Sequence, residues 1–308
     1  MSNFSLVAAE NDFLLNHPNF SIRRPALYPS ESSVKYTENG FTFVQGKCHR
    51  AAYYRIKGIP KNRQSSLSLI MKGIAGKALE EAAIDRWKCM GIWVGNNIKF
   101  FIPNYIISGE LDVIIKDPIT EQLILEELKS WDGHYAAKMI LGSKKPYITG
   151  QPRPQHYLQG ITYHWEYKEY IPETRLYYAD RAGGARVEFR IGTELINGRN
   201  VCWRENIPCK YWNATTEKRI YYPFAIEDIH DRFKQLAKYI KTDTLPPKDY
   251  GIIEPDKIEY MYSKGDLAKK DYEPWKKNPN KNPIIDYMCN YCDWQGKCKA
   301  DSIEEENE

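Results

Sequence analysis

Three ionisable residues interrupt two apolar stretches of this chain. Asp112 lies in Tyr105-Ile-Ile-Ser-Gly-Glu-Leu-Asp-Val-Ile-Ile115, and Glu127 and Lys129 lie in Leu123-Ile-Leu-Glu-Glu-Leu-Lys-Ser130. Side chains alternate along a strand, so Glu127 and Lys129 share a face. A short hairpin turning at Asp117-Pro118 sets Asp112 opposite Glu127. Charges on one face of an apolar hairpin need partners, because an unpaired buried charge is costly. A divalent cation is one such partner, and hard carboxylate oxygens suit Mg2+ or Mn2+. The lysine would then orient, or help deprotonate, a water aimed at phosphorus, while the cation offsets charge building on the phosphate. The competing reading is a surface hairpin with an ordinary Glu–Lys pair, and the Asp-x(n)-Glu-x-Lys pattern by itself is weak.

A second cluster is made of thiols. Cys289, Cys292 and Cys298 form a C-x2-C-x5-C group near the end of the chain, and Cys48 stands near its beginning. Three thiolates at this spacing reach one metal centre, and Cys48 as fourth ligand would staple the two ends together. Four thiolates suit a 4Fe-4S cluster and equally a structural Zn2+; ligand chemistry does not separate them. Cys89, Cys202 and Cys209 read as ordinary buried thiols.

These groups need elements to position them. Leu67, Ile70, Met71, Ile74, Ala78, Leu79, Ala82, Ala83 and Trp87 recur at helical spacing and predict a helix over 65–90. Gly73 and Gly76 each weaken it by about 1 kcal/mol relative to Ala. Glu80 lies four residues after Gly76, on the same face, so a close backbone approach at the glycines would let Glu80 reach a site. Strands are expected over 99–116 and 122–130. A loop over 132–154 carries Lys138, Lys144, Lys145 and Arg153, placed to hold phosphates. A helix over 155–170 carries Gln159 and Tyr163 on one face. Several strands follow over 174–223, then a helix over 224–241. A Lys-, Asn- and Pro-rich stretch, 263–283, reads as a loop.

The bulk numbers set bounds. The chain has 308 residues, and its formal net charge of +4 is compatible with nucleic acid without pointing to it. No apolar run approaches the ~18 residues that span a bilayer. Residues 1–19 carry Glu10 and Asp12 and lack a basic leader, so a cytoplasmic protein is expected. In that compartment seven cysteines read as metal ligands and buried thiols rather than disulfides. The expected organisation is an irregular extension over 1–43, one domain over 44–300 and a disordered acidic tail over 301–308.

The ordered set Glu80, Asp112, Glu127-x-Lys129, Gln159-x-x-x-Tyr163 resembles the RecB-like branch of the PD-(D/E)XK nuclease superfamily. The cysteines, one before this core and three after it, resemble the members with an iron–sulfur cluster, such as the CRISPR-associated exonuclease, AddB-type helicase–nucleases and similar stand-alone phage proteins. The resemblance covers roughly residues 48–300. It implies an α/β fold with a mixed central sheet flanked by helices. It implies that Asp112 and Glu127 bind Mg2+ or Mn2+ with the Leu128 carbonyl, that Lys129 is catalytic, and that Gln159 and Tyr163 line the site and meet DNA. It favours 4Fe-4S over Zn2+ on Cys48, Cys289, Cys292 and Cys298. Many relatives place a His four residues after a Gly; here Gly73 leads to Lys77 and Gly76 to Glu80. Glu80 is the better match, because a carboxylate binds Mg2+ and a lysine does not; one or two bound metals are both compatible. The expected activity is DNA hydrolysis on single strands or ends, in recombination, repair or processing, with a helicase or recombination protein as possible partner. The alternatives are a non-cleaving DNA-end-binding module and an accessory nuclease of CRISPR adaptation.

Overall fold

A computed structural model of the chain describes residues 26–63, 66–144, 147–182, 184–207 and 219–307. Asn39 and Gly40 both take positive φ, 49° and 82°, as a tight two-residue hairpin turn requires. They join strands β1 (Ser33–Glu38) and β2 (Phe41–Gly46). The expected irregular extension over 1–43 therefore contains regular structure. Its end also enters the core: Leu27 is fully buried and bridges to Ile107. Residues 1–25 lie outside the described residues.

Helix α1 (His49–Ile56) follows, with Cys48 as its N-cap. Helix α2 (Leu67–Cys89) starts where the Ser66 hydroxyl accepts the Leu69 N–H and ends with Arg86 and Lys88 at its negative pole. Only Ala83, Ile84 and Trp87 of α2 are buried; Leu69, Met71 and Ile74 are 60%, 45% and 46% exposed. The expected apolar stripe thus covers the core only in the C-terminal turns.

The expected strand over 99–116 is instead two strands, β3 (Trp93–Ile102) and β4 (Ile107–Lys116). Pro103, which lacks an N–H, opens a 3-10 turn between them, and Ile106 closes it at φ 55°. Strand β5 (Leu123–Trp131) returns beside β4 after a turn in which Asp117 Oδ1 accepts the N–H groups of Ile119 and Thr120. The expected loop over 132–154 contains helix α3 (His134–Leu141) and a small hairpin, β6 (Gly142–Lys144) with β7 (Tyr147–Thr149). Helix α4 (Pro154–Tyr167) begins on a proline, whose missing N–H is harmless in a first turn. It carries the chain from β5 to β8 (Glu173–Asp180), which lies parallel to β5, as a helical crossover permits. Strands β9 (Arg186–Ile196), β10 (Arg199–Asn206) and β11 (Ile220–Ala225) extend the sheet antiparallel.

The sheet order is β11-β10-β9-β8-β5-β4-β3. On one face Ala83, Ile84 and Trp87 of α2 pack on Val113, Ile115, Ile124 and Leu128. On the other, Leu158 and Ile161 of α4 belong to the main core with Leu176, Phe189 and Ile191. The protein is therefore mixed α/β, with a large mixed central sheet flanked by helices, as expected.

Helix α5 (Ile226–Lys241) buries Ile229, Phe233 and Leu236 on the apolar face read from the sequence. The expected loop over 263–283 is helical for the most part. Helices α6 (Pro255–Lys264) and α7 (Lys269–Lys277) close on a small core of Ile258, Tyr272 and Trp275. Its rings, invisible to a count of Lys, Asn and Pro, provide the burial that orders it. Helices α8 (Tyr287–Asn290) and α9 (Gln295–Asn307) finish the described chain. The expected disordered acidic tail is helical as far as Asn307, and at its start Asp301 is buried and accepts the Tyr54 hydroxyl at 2.6 Å; Glu308 lies outside the described residues. Among the described residues no helix is long and apolar enough to cross a membrane.

Candidate active site and cysteine pocket

Strands β4 and β5 pair from Lys116–Leu123 to Val113–Glu126, and there the ladder stops. One residue further stand Asp112 and Glu127, side by side where the strands diverge. Beyond this point β5 continues alongside β8 alone, as far as Trp131–Asp180. The Asp112 side chain bridges the gap: Oδ2 accepts the Leu128 N–H at 2.9 Å. Lys129 Nζ donates to Glu127 Oε1 and lies 3.7 Å from Asp112 Oδ2. Sequence alternation predicts this trio, and the fold brings it together.

Its electrostatics are unbalanced. Glu127 is fully buried, and its Oε2 has no hydrogen-bond partner among the described residues. Burial, then Asp112, push the Glu127 carboxyl up to about 8, although Lys129 pulls the other way. Burial pulls the Lys129 pKa down, but Glu127 and Asp112 outweigh it and raise it above the ordinary lysine value. Glu80 is half-buried, and burial followed by Asp112 raises its carboxyl too. Three carboxylates thus surround Lys129, with Lys77 also acting on Glu80, and one buried oxygen has no partner among the described residues.

Two cavities meet at this point. The smaller, about 260 Å3, is lined by Gly76, Glu80, Leu128, Lys129, Arg153 and His156 among others. The larger, about 660 Å3, takes in Glu80, Glu110, Asp112, Asn96 and Asn97. Gly73 and Glu80 belong to both. A Cβ at Gly76 would lie 3.2 Å from Ser130 Oγ, so this glycine does admit a close approach; at Gly73 the space is open.

The remaining expected site residues divide. Arg153 lines the smaller cavity, its N–H donating to Tyr178 Oη at 3.1 Å. Gln159 Nε2 donates to Tyr163 Oη at 3.0 Å, and Tyr163 Oη to the Glu110 carbonyl at 3.3 Å. Neither lines either cavity, and Tyr163 is only 2% exposed. These two therefore buttress β4 from beneath, and the expected DNA contact at Tyr163 does not fit its burial. Lys138 is exposed on α3, away from both cavities. Lys145 and the side chain of Lys144 lie outside the described residues.

Sequence reading missed His156. Its Nδ1 sits 2.9 Å from Tyr178 Oη, and burial, then Lys129 and Arg153, hold its pKa well below the ordinary histidine range. The ring is neutral, with Nδ1 taken by Tyr178. The overlooked signal was its position three residues before Gln159, on the same helix face.

The four cysteines line one cavity of about 360 Å3, together with Arg50, Tyr54, Tyr250 and Met288. Cys48 is buried enough to raise its thiol to about 11, and Cys289 rises similarly through burial and then Cys48. Protein contacts draw the ends together: Trp294 Nε1 donates to the Ile59 carbonyl at 2.9 Å, and Lys297 N to Asn62 Oδ1 at 2.9 Å. Among the described residues no group of three or more His, Cys, Asp or Glu is arranged to hold a metal ion. Cys202 is buried as expected, Cys89 is exposed at the end of α2, and Cys209 lies outside the described residues.

Neither a family, a curated protein nor a solved structure matches this chain.

Proposed function

We propose that this chain is a metal-dependent DNA nuclease of the RecB-like PD-(D/E)XK type, acting on single strands or DNA ends. The observation that carries the reading is the convergence of Asp112, Glu127 and Lys129 where β4 and β5 diverge, with the Glu127 Oε2 orphaned in the interior. A buried carboxylate oxygen without a donor fits a cation, and Asp112, Glu127, Glu80 and the Leu128 carbonyl are the groups that would hold Mg2+ or Mn2+. When bound, that ion supplies charge neutralisation at the scissile phosphate and acidifies an attacking water.

The chain's own groups do the rest. Lys129 stays protonated between two carboxylates and presents N–H donors to a phosphate oxygen or to the water. Arg153, on the same wall, offers a planar fork for a second phosphate oxygen. His156 stays neutral, so it neither repels the lysine nor competes for phosphate. Glu80 overhangs the junction of the two cavities from α2.

Cys48, Cys289, Cys292 and Cys298 hold a 4Fe-4S cluster in the same reading, with Zn2+ as the alternative. The opening of all four thiols onto one pocket supports a metal centre there and does not choose between them. Incubating the purified protein with Mg2+ or Mn2+ and end-labelled single- and double-stranded DNA tests the activity. Wild type is expected to cleave, and Lys129→Ala and Asp112→Ala to lose about 100- to 1,000-fold while keeping the wild-type circular dichroism spectrum. Failure of wild type to cut any DNA form overturns the proposal.

A further inference from the structure

A further cavity, about 420 Å3, lies across the loop 151–154 from the acidic site. Gln151, Pro152 and Pro154 face it, while Arg153, within the same segment, faces the smaller catalytic cavity. The two cavities thus share one wall, four residues long. The far side is aromatic: Tyr36 and Phe43 of the N-terminal hairpin and Tyr222 of β11. These rings form a continuous row through Phe224. Tyr36 and Phe43 stack at 5.7 Å, Tyr36 and Phe224 lie 5.6 Å apart, and Phe224 and Tyr222 are 5.1 Å apart.

The polar lining of this cavity is divided between amides and hydroxyls, on Gln45, Gln151, Tyr36, Tyr157 and Tyr222, and charged side chains. Gln45 Nε2 donates to Tyr36 Oη at 3.0 Å, which leaves its carbonyl oxygen for other partners. The charged side chains are three acidic ones, Glu38, Asp266 and Asp286, against Lys257 and Lys264. Lys264 is already bound to Glu38 at 2.8 Å. Such a balance repels a phosphate. Aromatic faces with amide donors and acceptors, in a volume within the range of roughly 300–1,000 Å3 usual for ligand sites, suit an uncharged planar heterocycle. The adjacent Arg153 suits the phosphate to which such a heterocycle is attached.

We propose that this cavity receives one unpaired base of the DNA strand whose phosphate lies at Arg153. The proposal rests on the nuclease reading above. Its consequence is selectivity: a base in this cavity cannot be paired, so the strand must be single near the cut.

An abasic scan tests it. Single strands carrying one abasic nucleotide, moved position by position, are titrated against full-length Lys129→Ala protein in Mg2+ and read by fluorescence anisotropy. One abasic position is expected to weaken binding about tenfold, the loss typical of one stacked base. In Tyr36→Leu and Tyr222→Leu backgrounds the same abasic site is expected to cost nothing further, since the stacking partner is already gone. Thermal melts check that both variants fold, and Tyr222→Phe, which keeps the ring, is expected to bind like its parent. A scan that is flat, or that keeps its dip in the leucine variants, overturns the subsite. If wild type still cleaves DNA in that case, the nuclease reading stands; if wild type neither binds nor cleaves any DNA, both fall.

Discussion

At the scale of single residues, Glu127 carries the most information. Its carboxyl is raised from about 4.5 to about 8 by burial and Asp112. Between those values the folded protein therefore binds a proton that the unfolded chain does not. The sign follows from linkage: the contribution to stability is complete below the unfolded value and is lost as pH rises through the folded one. In cation-free protein, Glu127→Gln is accordingly expected to raise the melting temperature at pH 8 to 9 and to change it little near pH 5. Equal effects at both pH values would remove the charge argument. Mg2+ or Mn2+ is expected to raise the wild-type melting temperature at pH 8 and not that of Asp112→Ala, since a ligand of the folded state stabilises by mass action.

At the scale of elements, two features make predictions independent of the function. Gly46 ends β2 at φ 96°, and a Cβ there would lie 2.2 Å from the Ser32 carbonyl. Gly46→Ala combines left-handed strain with a backbone clash and is expected to destabilise by about 2 to 4 kcal/mol, read from a urea titration. Because Cys48 is only two residues away, the same change should loosen the thiol pocket. His164 of α4 faces Thr174 of β8, and burial, then Lys168, lower its pKa from 6.5 to about 4. The unfolded chain takes up this proton first. Stability is therefore complete above about pH 6.5 and falls as pH drops toward 4. His164→Gln is expected to flatten that stretch of the melting-temperature profile by several degrees; an unchanged slope would assign the acid sensitivity elsewhere.

At the scale of the whole molecule, the chain closes on itself between Cys48 and Cys289, a loop of some 240 residues. A metal centre there would restrict the unfolded chain and add its binding energy to folding. Protein contacts already hold the same ends, through Tyr54 with Asp301 and Trp294 with Ile59. Cys48→Ser is therefore expected to lose bound iron or zinc, measured by elemental analysis, and to melt at a lower temperature, yet still to unfold cooperatively. Freshly purified wild type that is colourless and free of both metals would leave the thiols without a ligand.

The acidic trio was legible in the residue pattern alone. Period-2 alternation puts Glu127 and Lys129 on one face, and the turn at Asp117 sets Asp112 opposite, because hairpin register follows from local geometry. The helix over 67–89, the apolar face of α5 and the mixed sheet with flanking helices were legible in the same way. Where a signal depended on partners distant in the chain, it was silent or misleading. The first turns of α2 look like a core stripe, yet Leu69, Met71 and Ile74 stay exposed there. The hairpin of residues 33–46 packs on rings far along the chain, Tyr36 on Phe224 and Phe41 on Tyr260, and the helices of 255–277 close on a core that forms only when they meet. The divergence of β4 from β5, one residue before the carboxylates meet, is a property of the assembled sheet and of no local pattern. There the ladder opens beside Asp112 and Glu127, and Glu127 Oε2 has no donor among the described residues, because the donors a buried carboxylate finds are whatever the assembled sheet packs against it.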